Sequence, residues 1–127
     1  MVTEANIHYP TDTGLLADGV KVITRTVSKL RRAGADIGKG FVNHTRKVKR
    51  ICIGGSKLFR GGGSRSRAGL AKAQKQLIRI AKRVIAGGRS VKRQVEVLKE
   101  KPSWVGRLGE QLEGWLEVSE KIVEQVV

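Results

Sequence analysis

Residues 11–30 read TDTGLLADGVKVITRTVSKL, and the spacing of their apolar side chains predicts the fold class. Large apolar residues recur at steps of four, three, four and three, at Leu16, Val20, Ile23, Val27 and Leu30. This spacing places all five on one face of an α-helix. Residues 11–13 offer candidate N-caps, and Gly34 is a candidate stop. The stretch therefore predicts an amphipathic first helix.

Four further helices are predicted downstream: three cover about residues 40–53, 68–86 and 103–127, and a shorter one starts near Ser90 and ends before Pro102. The glycine pairs at 54–55 and 87–88, and Pro102, are expected to separate them, because Gly and Pro disfavour helix interiors. The segment RGGGSRSR at residues 60–67 predicts a flexible cationic loop.

The predicted fold is mainly α, with about five helices in an antiparallel helical assembly and a short extended N-terminal segment. Residues 1–13 are expected to form that extended segment and a turn at Pro10, and residues 14–127 a basic helical region. The last helix repeats apolar residues in a heptad-like pattern, so it is expected to pair with the first. Because only five residues of the chain are aromatic, the core is expected to be aliphatic.

The positive charge of the chain is concentrated in its middle. Residues 37–95 contain seventeen Lys or Arg and no Asp or Glu, whereas residues 1–36 have a net charge of +1 and residues 96–127 of −3. So long a cationic stretch repels itself unless a polyanion or an acidic surface lies beside it. The expected partner is DNA, with RNA as the alternative, because contacts of Lys and Arg with phosphates release counterions and thereby favour binding. The acidic last helix could also shield part of the basic middle.

Several protein classes are excluded by composition. Cys52 is the only cysteine, which rules out an internal disulfide and a cysteine metal cage. No apolar run is long enough to span a bilayer, and the N-terminus does not read as a signal peptide. A cytoplasmic location without a membrane partner is therefore expected.

Residues 6–20 read NIHYPTDTGLLADGV and form the most specific motif of the chain. From the chemistry of these residues alone, the purely structural interpretation is a strand end, a proline turn and a capped helix. Together with the helix KVITRTVSKL that follows, however, the motif resembles insertion-sequence transposases of the DDE type. The basic segment HTRKVKR at 44–50 and the segment EKIVEQ at 120–125 are similar in character to the helical region of that family. The positions that carry the motif are Asn6, His8, Tyr9, Pro10, Thr11, Asp12 and Asp18.

The resemblance implies a metal-dependent parent enzyme, in which three acidic residues of an RNase H-like core hold divalent metal ions such as Mg²⁺. In the family, the first catalytic Asp lies just before the segment that begins here at Met1, and the other two acids lie beyond the helical region. The chain alone is therefore expected to hold no catalytic residue, no metal and no enzyme activity. Asp12 is expected to act at most in support of the parent active site.

Ten cations of the basic stretch are candidate phosphate contacts: Arg46, Lys47, Lys49, Arg50, Arg60, Arg65, Arg67, Arg79, Lys82 and Arg83. An ordinary solvated surface would explain a few cations on one helix, but not seventeen without an acid. Neither a zinc finger nor an aromatic stacking motif accompanies them, so largely non-specific backbone binding is expected.

The sequence thus predicts a fragment of a DDE transposase that binds the DNA backbone. Its other expected partners are a second copy of the chain or the remaining parts of the transposase core. Two alternatives stay open: a complete small basic DNA- or RNA-binding protein, and a helical interaction protein whose apolar seams pair with another chain.

Overall fold

The computed structural model describes residues 11–34, 36–61, 64–98 and 100–125, and within them it is mainly helical, without a strand. The helices are α1 (Thr11–Leu30), α2 (Thr45–Gly61), α3 (Ser64–Glu96) and α4 (Ser103–Gln125), with a 3-10 turn at Arg31–Ala33. The mainly α class is confirmed, but the described part has four α-helices where five were predicted. Residues 11–13, assigned to the turn, already belong to α1, and the extended segment predicted for residues 1–10 lies outside the described residues.

The core is aliphatic and is centred on the predicted stripe of α1. All five stripe residues, from Leu16 to Leu30, are buried. The apolar positions predicted near Leu77, Val84, Val95 and Leu112 on α3 and α4 are buried against them. Each buried Leu, Ile or Val contributes about 1.5–3 kcal/mol relative to an exposed side chain. Burial of these stripes is therefore what holds the four helices together.

The helices α3 and α4 run in opposite directions. Near the end of α3, Val95 lies close to Gly109 early in α4, where an added Cβ would stand 3.6 Å from the Val95 Cγ1 atom. Earlier in α3, Lys82 lies beside Val123 late in α4. The heptad-like seam of α4 also meets α1, because Ser119 is buried against Gly19.

The glycine pair Gly87-Gly88 does not end a helix, as the sequence had predicted, and α3 runs through it. A Cβ on Gly88 would lie 2.7 Å from the Leu116 Cδ2 atom and 3.3 Å from the Ile23 Cγ2 atom. A Cβ on Gly87 would lie 2.9 Å from the Phe41 Cδ2 atom. The two glycines are therefore sites of close helix approach, and the predicted third and fourth helices are one.

The predicted break at Gly54-Gly55 is also wrong, and so is the predicted cationic loop at residues 60, 61 and 64–67, while residues 62 and 63 lie outside the described residues. Helix α2 continues to Gly61, and α3 begins at Ser64. A Gly inside a helix costs about 1 kcal/mol relative to Ala, which burial of α2 residues such as Val48 can offset. Polarity and glycine content were thus a poor guide to where these helices end and begin.

The connection from α1 to α2 is fixed by hydrogen bonds to its backbone. Arg31 Nη2 donates to the carbonyl oxygens of Gly38 and Phe41 at 2.9 and 3.0 Å, and the Gly38 N–H donates to Gln94 Oε1 of α3 at 3.0 Å. Gly38 and Gly40 have φ angles of 74° and 84°, in the left-handed region that favours glycine. These contacts set where α2 begins relative to α1 and α3.

We expect Gly88→Ala to lower the free energy of unfolding, even though Ala is the better helix former. Overpacking a core costs about 1–3 kcal/mol, whereas replacing Gly by Ala in a helix gains about 1 kcal/mol. The matched control is Gly114→Ala in α4, where an added Cβ meets nothing within 4 Å and should stabilise the protein. Urea denaturation followed by circular dichroism measures both, and equal stabilisation by the two variants would contradict the close packing at Gly88.

Candidate nucleic-acid interface

A cationic groove lies between α1 and α2. Its cations come in two pairs, Lys21 and Arg25 from α1 and Arg46 and Lys49 from α2. Because residues three or four apart share a helix face, each pair projects from one side of the groove. We call these four residues the α1–α2 cation cluster. All four side chains are exposed, and none of them is ion-paired within the described part of the chain.

The groove follows the antiparallel course of α1 and α2. At one end it is lined by Ser28 of α1 and Asn43 before α2. Towards the other end, Lys21 and Lys49 also line an adjoining pocket with Asp18 and Ile53. Asp18 is the one acidic side chain among the described residues that line the groove and this pocket. Between Lys21 and Asn43, no acidic side chain is among the described residues that line the groove.

The hydroxyl groups of the groove already donate to protein acceptors. Thr24 Oγ1 donates to the Val20 carbonyl at 2.7 Å, and Ser28 Oγ donates to the Thr24 carbonyl at 3.0 Å. Asn43 Oδ1 accepts from the Thr45 backbone N–H and from Thr45 Oγ1 at 2.9 and 2.6 Å. The side-chain donors left for a ligand are the four cations and the Asn43 amide NH₂, which favours an anionic ligand.

A second cationic surface follows the outer face of α3. Its exposed members lie within about 100° of the helix circumference, at about 100° per residue, and are Lys72, Lys75, Arg79, Lys82, Arg83 and Arg93. From Lys72 to Arg93 this stripe extends about 30 Å along the helix, at about 1.5 Å per residue. The structure thus presents cations on two surfaces rather than one.

The acidic residues of α4 compensate part of the α3 stripe. Arg89 Nη1 lies 2.8 Å from Glu113 Oε1, and Arg89 Nε lies 2.7 Å from Glu120 Oε1. These contacts raise the pKa of Arg89 and, through the guanidinium, lower that of Glu120. Lys82 lies in the same region, beside Glu120 and Glu124. The expectation that the last helix shields part of the basic middle is met at this edge of α3.

The structure brings only some of the ten predicted phosphate contacts together. Arg46 and Lys49 share the groove, whereas Arg83 lies near His44 and Lys82 lies on the α4 side of α3. Lys47, Arg50 and Arg79 are exposed elsewhere on α2 and α3. The backbones of Arg60, Arg65 and Arg67 belong to α2 and α3, and their side chains lie outside the described residues.

Lys21 and Arg25 were missed by the sequence reasoning. They belong to a segment whose net charge is only +1, so the charge distribution did not single them out. The signal that could have found them is their i, i+4 spacing on the flank of the buried stripe, next to Val20 and Thr24. Only the packing of α2 against that flank shows that they face further cations.

The motif positions divide at the start of α1. Asn6, His8, Tyr9 and Pro10 lie outside the described residues. Thr11 and Asp12 begin the helix, with side chains outside the described part. Asp18 is exposed in the second turn, at the end of the groove described above.

The described residues do not fit a site for Mg²⁺, because no three His, Cys, Asp or Glu side chains among them are placed to hold a metal ion. Cys52 is half-buried and packs against the core. Burial raises the pKa of the Cys52 thiol, although Lys21 opposes the shift. The thiol is therefore protonated at neutral pH.

Comparisons of this chain with protein-family models, with curated proteins and with solved structures find no match. Among the described helices, none is both long and apolar enough to cross a membrane.

We expect Glu120→Gln to reduce the acid sensitivity of the fold. Since the folded-state pKa of Glu120 lies below its ordinary value of 4.5, its contribution is present at neutral pH and is lost as the pH falls below about 4.5. The wild type should therefore lose more stability between pH 7 and pH 3 than the variant does. The effect is modest, because the Glu120 side chain is one-third exposed.

Urea denaturation at several pH values measures this difference. Glu117→Gln is the matched control, because Glu117 is an exposed residue of the same helix without an ion pair to any described residue. The control should follow the wild type. Parallel stability curves for Glu120→Gln and the wild type would contradict a stabilising contact between Arg89 and Glu120.

Proposed function

We propose that this chain binds the sugar-phosphate backbone of DNA, as the helical region of a DDE-type transposase. The observation that carries the binding proposal is that most of the described cations on α1, α2 and α3 are exposed and make no ion pair with a described residue. Seven of the ten candidate contacts have described side chains, all seven are exposed, and none of them is ion-paired within the described residues. Cations held in this way gain most from a polyanion, because its counterions are released on binding.

The link to transposition is supported by the motif at residues 6–20 and by the basic helices that follow it. A parent transposase would carry out metal-dependent phosphoryl transfer on DNA, for which two metal ions held by carboxylates are the usual arrangement. In this proposal the chain contributes backbone affinity to the parent enzyme and no catalytic group. Sequence readout is not part of the proposal, since phosphate contacts position a protein without identifying the bases.

A helical interaction protein is the second candidate, and an apolar depression between α1 and α4 favours it. Leu15 and Val22 of α1 and Trp115 and Val118 of α4 line this depression. Leu15 and Val118 are each about two-fifths exposed, at 39% and 40%. Exposed apolar patches of this kind occur at protein–protein contacts.

We expect the chain to bind DNA duplexes of unrelated sequence with similar affinity and with a steep dependence on salt. Each neutralised phosphate contributes about 0.9 to the slope of log K against log salt concentration. Fluorescence anisotropy with a labelled 30-base-pair duplex of arbitrary sequence, between 50 and 200 mM KCl, measures both quantities. An association with another protein through apolar surfaces would instead persist at high salt.

Failure to bind any duplex at 50 mM KCl would rule out the proposed function. A strong preference for RNA over DNA in the same assay would favour the alternative of a small RNA-binding protein. Comparing a duplex RNA of the same length therefore belongs in the first experiment.

We expect no strand cleavage by the purified chain with Mg²⁺, because in this proposal the catalytic acids are supplied by the rest of the parent enzyme. A supercoiled plasmid nicking assay with and without Mg²⁺ tests this expectation, with a Mg²⁺-dependent nuclease as the positive control in the same buffer. Nicking that co-purifies with the chain and requires Mg²⁺ would show that the chain is itself an enzyme.

A further inference from the structure

We infer that the α1–α2 cation cluster is the main phosphate site of this protein, where Lys21 and Arg25 hold a DNA strand together with Arg46 and Lys49. This inference rests on the proposed function and adds to it a location and two residues outside the basic middle of the sequence. It also assigns a secondary role to the longer cationic stripe of α3.

The groove has the geometry to hold an extended polyanion between two rows of charge. Lys21 and Arg25 are one helical turn apart on α1, and Arg46 and Lys49 are nearly one turn apart on α2. Successive cations of each row are displaced by about 6 and 4.5 Å along the helix axes. The ligand thus meets cations on both sides over more than one phosphate, rather than at a single point.

The donor inventory of the groove also favours phosphate. The hydroxyl hydrogens of Thr24, Ser28 and Thr45 are donated to protein acceptors, so the available hydrogen-bond donors are the cations and the Asn43 amide. Arg can bind two phosphate oxygens at once, and Lys acts as a point charge. A groove with these donors suits the repeated anions of a nucleic-acid backbone better than it suits a neutral ligand.

Because of the acidic residues of α4, the α3 stripe is expected to bind phosphate more weakly than the α1–α2 cation cluster does. Glu113 and Glu120 neutralise Arg89, and Glu120 and Glu124 lie beside Lys82. Among the described residues that line the groove and its adjoining pocket, the one acid is Asp18, which lies at one end. We therefore expect phosphates to favour the groove even though α3 carries more cations, because α4 compensates part of the α3 charge.

The double variant Lys21→Gln/Arg25→Gln tests this inference by anisotropy with the same 30-base-pair duplex. Removal of two phosphate contacts should lower the magnitude of the salt slope by about 1.8, at 0.9 per contact. The matched control is Arg107→Gln/Lys121→Gln, which removes the same charge from exposed positions of α4 and should leave the slope close to that of the wild type. Melting curves by circular dichroism establish that both variants fold.

The charge-conserving variant Lys21→Arg/Arg25→Lys should restore the wild-type slope, because it returns both cations to the groove. If the wild type binds DNA but the groove variant keeps the full slope, or the α4 control loses as much, the inference is wrong and the proposed function stands. If the wild type does not bind DNA at all, the proposed function itself has failed.

Discussion

The close approach of three helices at Gly88 is the contact on which the rest of the structure depends. A Cβ on Gly88 would stand 2.7 Å from the Leu116 Cδ2 atom of α4 and 3.3 Å from the Ile23 Cγ2 atom of α1. With no side chain at this point, α3 can pass close to both neighbours without interruption, and the stripes of the three helices close into one core. The position of α1 then fixes one wall of the cationic groove, and the loop held by Arg31 and Gln94 fixes where the other wall begins.

Charge is divided between the two sides of this core. On one side, α4 supplies carboxylates that hold Arg89 and flank Lys82. On the other side, α1 and α2 bring four cations together, and Asp18 is the one acid among the described residues that line the groove and its adjoining pocket. A surface ion pair contributes little to stability, so the effect of the α4 acids on the fold is smaller than their effect on the electrostatic field.

The spacing of apolar residues predicted the fold better than the positions of glycine and proline did. The steps from Leu16 to Leu30 identified the buried face of α1, because burial of an apolar stripe is a property of the helix itself. The glycines at 87 and 88 led to a wrong prediction of a helix end, because glycine is favoured both at a helix break and at a close contact between helices. For the site, the basic stretch indicated Arg46 and Lys49, but not Lys21 and Arg25, whose importance comes from the packing of α2 against α1. Neither the basic stretch nor the packing of α2 against α1 identifies the partner, because positive charge favours any polyanion.

The acidic flank of α4 also makes the charge distribution of the protein asymmetric. A molecule with carboxylates on one edge and uncompensated cations on the opposite edge has a charge asymmetry that long-range fields can act upon. If the chain binds a polyanion as proposed, the α1–α2 edge is attracted more strongly than the α4 edge, so rotation towards the cation cluster would begin before contact. The glutamates of α4 would then act at a distance, by reducing the number of encounters in which the α4 side arrives first.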